Sequence, residues 1–164
     1  MSLQFIIDGY NVIHHPIFTQ QVTQKAKYPK SALLEFIKKN RLCGSSRNKI
    51  MVVFDGYPEP SSNKTASDTN IVFSGNETAD EKIKRVVESS DNPKNIIVVS
   101  DDKEIKFFAK VCGAKAIGVE EFILTKEKKA KDEDDLLKAE LTYAQIDKIN
   151  KELRKIWLER GRTS

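Results

Sequence analysis

Short continuous apolar runs alternate along the chain with stretches whose apolar positions recur at helical spacing. The runs are Phe5-Ile6-Ile7, Met51-Val52-Val53-Phe54, Ile71-Val72-Phe73 and Ile96-Ile97-Val98-Val99. Runs this short, bounded by polar turns, read as strands buried on both faces of a parallel sheet. They predict strands over residues 3–8, 50–55, 70–74 and 95–100, with a short fifth over 115–119. Between them, Leu33, Leu34, Phe36, Ile37 and Leu42 fit one helical face; Pro29 suits the helix start and Gly44 its stop. Thr78 and Glu81 have the spacing of a capping box ahead of Ile83, Val86 and Val87. Asp101 or Asp102 caps a further helix with Ile105, Phe108, Ala109 and Cys112 inward, ended by Gly113. The β-α rhythm predicts an α/β fold with a parallel sheet flanked by helices.

Three segments stand outside this rhythm. The stretch from His14 to Tyr28 is polar, contains Pro16 and gives no assignable element. Residues 56–70 are turn-rich, with Pro58, Pro60 and Lys64, and a loop of that length is often functional or mobile. From Lys126 the texture changes to bases, then Asp132-Glu133-Asp134-Asp135, then Leu136, Leu137, Leu141, Ile146, Ile149, Leu153, Ile156 and Trp157 at helical spacing. The division expected is a catalytic-type domain over 1–125 and a charged, amphipathic helical extension over 126–164. The apolar stripe of the extension is expected to pack, and its basic face to stay in solvent.

Acids follow the apolar runs. Asp8 ends the first, Asp55 the second, Glu77 and Asp80 come shortly after the third, and Asp101-Asp102 after the fourth. In an open α/β sheet the ligand crevice lies outside the carboxyl ends of the strands, so these six acids would converge there. Taken singly, each has a plain structural reading: Asp8 and Asn11 as an Asx turn, Asp55-Gly56 as a common turn, the others as helix caps. Four coincidences at four strand ends are better explained by one shared site. Convergent carboxylates need a cation, and oxygen donors suit Mg²⁺ or Mn²⁺.

Composition narrows the partners. The 164 residues carry a formal net charge of +4 and are 32% charged, enough for one real core and a polyanionic partner. Arg47 and Lys49 in one loop, Lys64 in another and Lys103 beside the acids are the candidate phosphate contacts. Cys43 and Cys112 have no metal-like spacing and no disulfide framework is indicated, which suits a reducing cytoplasm. The opening Met-Ser-Leu-Gln is followed by neither a signal pattern nor a membrane-length apolar run, so a cytoplasmic protein without membrane attachment is expected. No Ser-His-Asp or Cys-His arrangement is evident; His14 and His15 are adjacent in a loop and read as exposed residues, or else as groups for RNA binding or acid–base work.

Ile6-Ile7-Asp8-Gly9-Tyr10-Asn11-Val12-Ile13, Val52-Val53-Phe54-Asp55-Gly56, Val72-Phe73-Ser74 through Glu77-Thr78-Ala79-Asp80, and Val98-Val99-Ser100-Asp101 together resemble the successive motifs of the NYN domain, in its YacP-like branch, a relative of PIN-domain nucleases. The resemblance spans roughly residues 3–123. It implies a PIN-like three-layer α/β/α fold and a Mg²⁺- or Mn²⁺-dependent endoribonuclease, in some members associated with ribosomes or translated messages. It implies metal-site roles for Asp8, Asp80 and Asp101 with Asn11 beside them, and Asp55 as a recurrent position behind the ligands; Glu77 and Asp102 are further candidates from their strand-end placement. The expected partner is RNA, with the chain a monomer or weak homodimer. Two other readings stand beside this one. A non-catalytic RNA-binding module would use the same fold with a decayed site. A phosphatase of the haloacid dehalogenase type would need a second Asp two residues after the first, where this chain has Tyr10.

Overall fold

The computed structural model describes residues 2–22, 29–58, 69–125, 147–148 and 150–152. Its elements run β1 (Gln4–Asp8), α1 (Gly9–Ile13), α2 (Pro16–Gln21), α3 (Pro29–Lys39), β2 (Lys49–Phe54), β3 (Thr69–Phe73), α4 (Ala79–Glu88), β4 (Ile96–Val99), α5 (Lys103–Val111) and β5 (Lys115–Ile117), and residues 119–125 form a further helix, α6. The strands make one five-stranded sheet of order β3-β2-β1-β4-β5. Every pairing is parallel, with β1 central: Ile7 lies between Val52 of β2 and Val99 of β4.

Parallel strands connected by helices bury both sheet faces, which is why the apolar runs are continuous rather than alternating. Successive residues of β1 serve the two faces in turn. Phe5 and Ile7 join Val12, Phe18, Leu33, Ile37, Phe54 and Phe122 in one core. Ile6 joins Val53, Ile83, Val87, Val98, Ile105 and Ala109 in the other. Three layers result, with α4 and α5 on the second face. The capping box at the start of α4 is present: Thr78 accepts from the Glu81 N–H, and Glu81 accepts from the Thr78 N–H. Asp102, rather than Asp101, caps α5, accepting from the N–H groups of Glu104 and Ile105.

Two local expectations change. The segment after His14 is not irregular throughout, because His15 caps α2 and Pro16 occupies its first turn, where a missing N–H costs nothing. Gly9, a residue whose freedom at φ suits a tight turn after Asp8, instead opens α1 directly from β1. A Cβ there would sit 2.2 Å from Cε1 of the Phe54 ring, so the glycine serves close packing of α1 on β2.

The chain divides into two compact units, Met1–Lys126 and Glu127–Ser164. In the second unit, Lys151 pairs with Asp147 at 3.0 Å, one helical turn away. Its apolar stripe lies outside the described residues, which in this unit are the helical positions 147–148 and 150–152. Among the described residues, no helix is long and apolar enough to cross a membrane. Cys43 and Cys112 are free, and burial pushes the Cys43 thiol up to about 12, which makes it inert at neutral pH.

Candidate active site

The parallel sheet brings the ends of β1, β2 and β4 to one edge, and Asp8 occupies the centre of that edge. It is buried, with 3% of its surface exposed. Its Oδ1 caps α1 by accepting from the Asn11 N–H at 3.2 Å, and its Oδ2 accepts from the Asn11 side-chain amide and, at 3.4 Å, from the Ser100 hydroxyl. The Asx-type reading of Asp8 is therefore correct as local structure, and it coexists with a position at the heart of the edge. Burial raises the Asp8 carboxyl above its ordinary range; the bonds from Asn11 and Ser100 oppose this, and the charge of Asp55 adds to it.

Asp80 lies in the first turn of α4. Its carboxyl is also raised, by burial first and then by the charges of Asp102 and Asp8, with Asp55 adding and Lys84 opposing. The charges of Asp8, Asp55 and Asp102 thus all reach Asp80, although the four acids come from four separate segments. Asp55 is tied to this group by a bond from its Oδ1 to the Ala79 N–H, 2.6 Å long, which holds the start of α4 against the end of β2. Ser100, wholly buried, accepts from the Asp102 N–H at 3.1 Å while donating to Asp8, and so links the central acid to the loop before α5.

Asp101 makes a different set of contacts. Its Oδ1 accepts from the Val119 N–H at 2.9 Å, and its Oδ2 lies 3.8 Å from Nε2 of His15. A Cβ on Gly118 would come within 3.2 Å of Asp101 Oδ1, so the glycine leaves room for that carboxylate. Asp101 and Asn11 share an open cleft of about 350 Å³ with Tyr10, His14, His15 and Pro16. The His15 Nδ1 accepts from the Ile17 N–H, which leaves Nε2 to carry the proton toward Asp101.

Glu77 does not join the acids as a free carboxylate. It is ion-paired with Lys82 at 3.3 Å and with Arg85, and its charge is spent on α4. The basic candidates also separate. Lys103 begins α5 beside Asp102 and is exposed. Lys49 is the first residue of β2 and Arg47 precedes it, so both lie at the amino edge of the sheet, opposite the acids. Their place in the loop before a strand, rather than after one, puts them there. Lys64 lies outside the described residues. The structure instead brings Lys30 of α3 to the carboxyl edge, its ammonium 5.1 Å from the Phe73 ring centre and 5.6 Å from that of Phe54.

Two contributors have a sharper role in the structure than in the sequence. Ser100, there only part of a motif, is the polar residue that ends an otherwise apolar strand, and that placement is its signal. His15, there an exposed residue or else a group for RNA binding or acid–base work, has a side chain only 18% exposed; its signal is the position immediately before a proline that opens a helix.

The donor chemistry fits a hard divalent cation. Asp8 and Asp80 are carboxylates whose ionised forms are disfavoured where they stand, and a cation would reverse that. Among the described residues, no three His, Cys, Asp or Glu side chains are already gathered closely enough to enclose an ion.

The all-parallel five-stranded sheet flanked by helices, with acids following its strands, is a PIN-like three-layer α/β/α fold. The chain belongs to the YacP-like NYN domain family, whose model matches residues 5–161 and so continues well past the motifs into the C-terminal unit. Two solved structures share the fold. The crystal structure of Rae1 (YacP) from Bacillus subtilis matches with a TM-score of 0.56 at 22% identity, covering 99% of this chain and 96% of that one. The crystal structure of a single-residue variant of Rae1 (YacP) from Bacillus subtilis matches with a TM-score of 0.55 at 23% identity, covering 85% of each chain. No curated protein sequence matches the chain. Family membership supports a nuclease or RNA-related role.

Proposed function

We propose that the protein is a divalent-metal-dependent endoribonuclease that hydrolyses RNA phosphodiester bonds at the carboxyl edge of its sheet. One observation carries this reading: Asp8 and Asp80, from different segments, both have carboxyls raised by burial first, with the charge of Asp55 adding to each. Crowded, partly buried acids are costly unless they serve a charged ligand.

In this reading Asp8, Asp80 and Asp101 would hold Mg²⁺ or Mn²⁺, with Asp102 adding negative charge nearby. When bound, the ion supplies an activated water and neutralises charge on the phosphate. The chain's own residues do the rest. Asn11 and Ser100 orient the Asp8 carboxylate by donating to it. Asp55 fixes the helix start that carries Asp80. Lys103 contacts the phosphate backbone next to the acids, while Arg47 and Lys49 lie too far round the molecule to share that contact. RNA is the partner.

The test is cleavage of a single-stranded RNA by the full chain in Mg²⁺ or Mn²⁺, in EDTA, and by Asp8→Asn. Metal-dependent cleavage lost in the variant supports the reading. Equal cleavage by wild type and Asp8→Asn, or cleavage undiminished in EDTA, overturns it.

A further inference from the structure

Tyr10 of α1 and His14, the residue that caps its C-terminus, stand one helical turn apart, and hydrolysis of a phosphodiester gives neither of them a task. Their rings are stacked, with centroids 5.7 Å apart and planes 16° from parallel. Tyr10 is held from behind, because its ring meets the buried Phe54 edge-on at 5.4 Å and 81°. His14 is exposed. Both rings line the cleft of about 350 Å³ that also contains Asn11, His15, Pro16 and Asp101, a volume at the small end of ligand sites.

The chemistry of that lining is specific in kind. One wall is flat and aromatic. Around it stand an amide, an imidazole and a carboxylate, groups that pair with the amino, imino and carbonyl edges of a heterocycle. The amide is that of Asn11, which donates to Asp8. A flat ring stacked in the cleft would therefore lie within one side chain of the central acid. Unpaired bases splayed from a single strand stack on such aromatic platforms, and any base suffices because each has a π-face. A ring pair at this spacing also supports a helix. That role, however, does not account for the placement of the exposed His14 ring in the wall of the cleft.

We propose that the Tyr10–His14 stack is a subsite for one unpaired nucleobase of an RNA strand, set beside the carboxylate edge. The proposal rests on the nuclease reading for the source of the base, but not for the stacking itself.

The test uses the full chain in EDTA, where no metal-dependent step runs. AMP, GMP, CMP and UMP are titrated in turn while the ring protons of His14 and Tyr10 are followed by NMR, with ribose 5-phosphate as the control that lacks a base. Saturable upfield shifts with nucleotides and none with ribose 5-phosphate are expected. A single-stranded RNA hexamer should bind more tightly than any monophosphate; His14→Ala should weaken it about ten-fold, and His14→Phe should restore it. Absence of ring shifts with every nucleotide, equal shifts with ribose 5-phosphate, or unchanged hexamer binding by His14→Ala overturns the subsite. Tighter binding of a monophosphate than of the hexamer overturns its assignment to a strand. Base-dependent shifts in a protein that cleaves no RNA would overturn the nuclease reading alone. Metal-dependent cleavage without ring shifts would overturn the subsite alone.

Discussion

Asp55 accepts a hydrogen bond from the Ala79 N–H, 2.6 Å long and 24 residues away in sequence. The acid that ends β2 therefore helps to cap the helix that presents Asp80. The two acids are coupled this way: one acts mainly by holding backbone, the other by its charge.

That division of labour predicts different responses at position 55. Asp55→Asn keeps an acceptor for the Ala79 N–H and should retain the fold and most of the activity. Asp55→Ala removes it and should cost about 1 kcal/mol, the usual worth of a helix N-terminal cap. Activity should fall further than stability, because Asp80 shifts with its helix. Chemical denaturation and RNA cleavage, measured on both variants, check this; equal behaviour of Asn and Ala would remove the positioning role.

Asn11 should matter through Asp8. Its backbone N–H and side-chain amide both donate to that carboxylate. Asn11→Ala leaves the backbone bond and removes the side-chain one. Groups that orient a metal ligand are typically worth 10–100-fold in activity, so a loss of about that size is expected, with the melting temperature nearly unchanged. Cleavage rates at saturating and limiting Mn²⁺ would show part of the loss recovered at high metal if the effect is on metal affinity.

The raised carboxyls of Asp8 and Asp80 give a sign to the pH dependence. A folded-state pKa above the unfolded value means that the native state binds its proton more tightly, so the ionised group costs stability. That cost is present in full above the raised pKa and fades as pH falls through it toward the unfolded value of about 4. In EDTA near neutral pH, Asp80→Asn should therefore melt above the wild type, and the gap should close as pH falls. Mn²⁺ or Mg²⁺ should raise the wild-type melting temperature by mass action and leave Asp80→Asn nearly unmoved. Thermal melts across pH, with and without metal, decide the matter: identical melting of the two proteins in EDTA throughout would show that the crowding carries no cost.

How much of this was readable beforehand follows from what each signal encodes. The five strands and the helices α3, α4 and α5 were legible because both-face burial leaves continuous apolar runs, and because capping residues are local. That Asp8, Asp55 and Asp102 follow strands ending at one edge was legible because a parallel sheet sends every strand end there. The direction of a side chain is not written in that pattern. Asp101 and Asp102 are adjacent, yet one turns to Val119 and His15 and the other to its own helix. Glu77 stands as near the edge in sequence as Asp80, but Lys82 and Arg85 claim it. Arg47 and Lys49 looked like pocket bases only because the edge on which a loop lies depends on whether it precedes or follows its strand.

Gly9 offers the sharpest test of the packing that holds the site together. It is the first residue of α1, directly after Asp8, and a Cβ there would overlap the Phe54 ring, with contacts of 2.2 Å to Cε1 and 2.6 Å to Cδ1 and Cζ. Phe54 is fully buried and also braces Tyr10, so it has little room to give. Gly9→Ala should force α1 away from β2 and cost about 1–3 kcal/mol as an overpacked core. For a chain of this size that corresponds to roughly 2–4 °C of melting temperature per kcal/mol. Because α1 carries Asn11 and is capped by Asp8, cleavage should drop together with stability. The double variant Gly9→Ala with Phe54→Leu should recover part of both, since the smaller side chain makes space where the methyl intrudes. A Gly9→Ala protein that melts with the wild type would show that the approach of α1 to β2 is not tight.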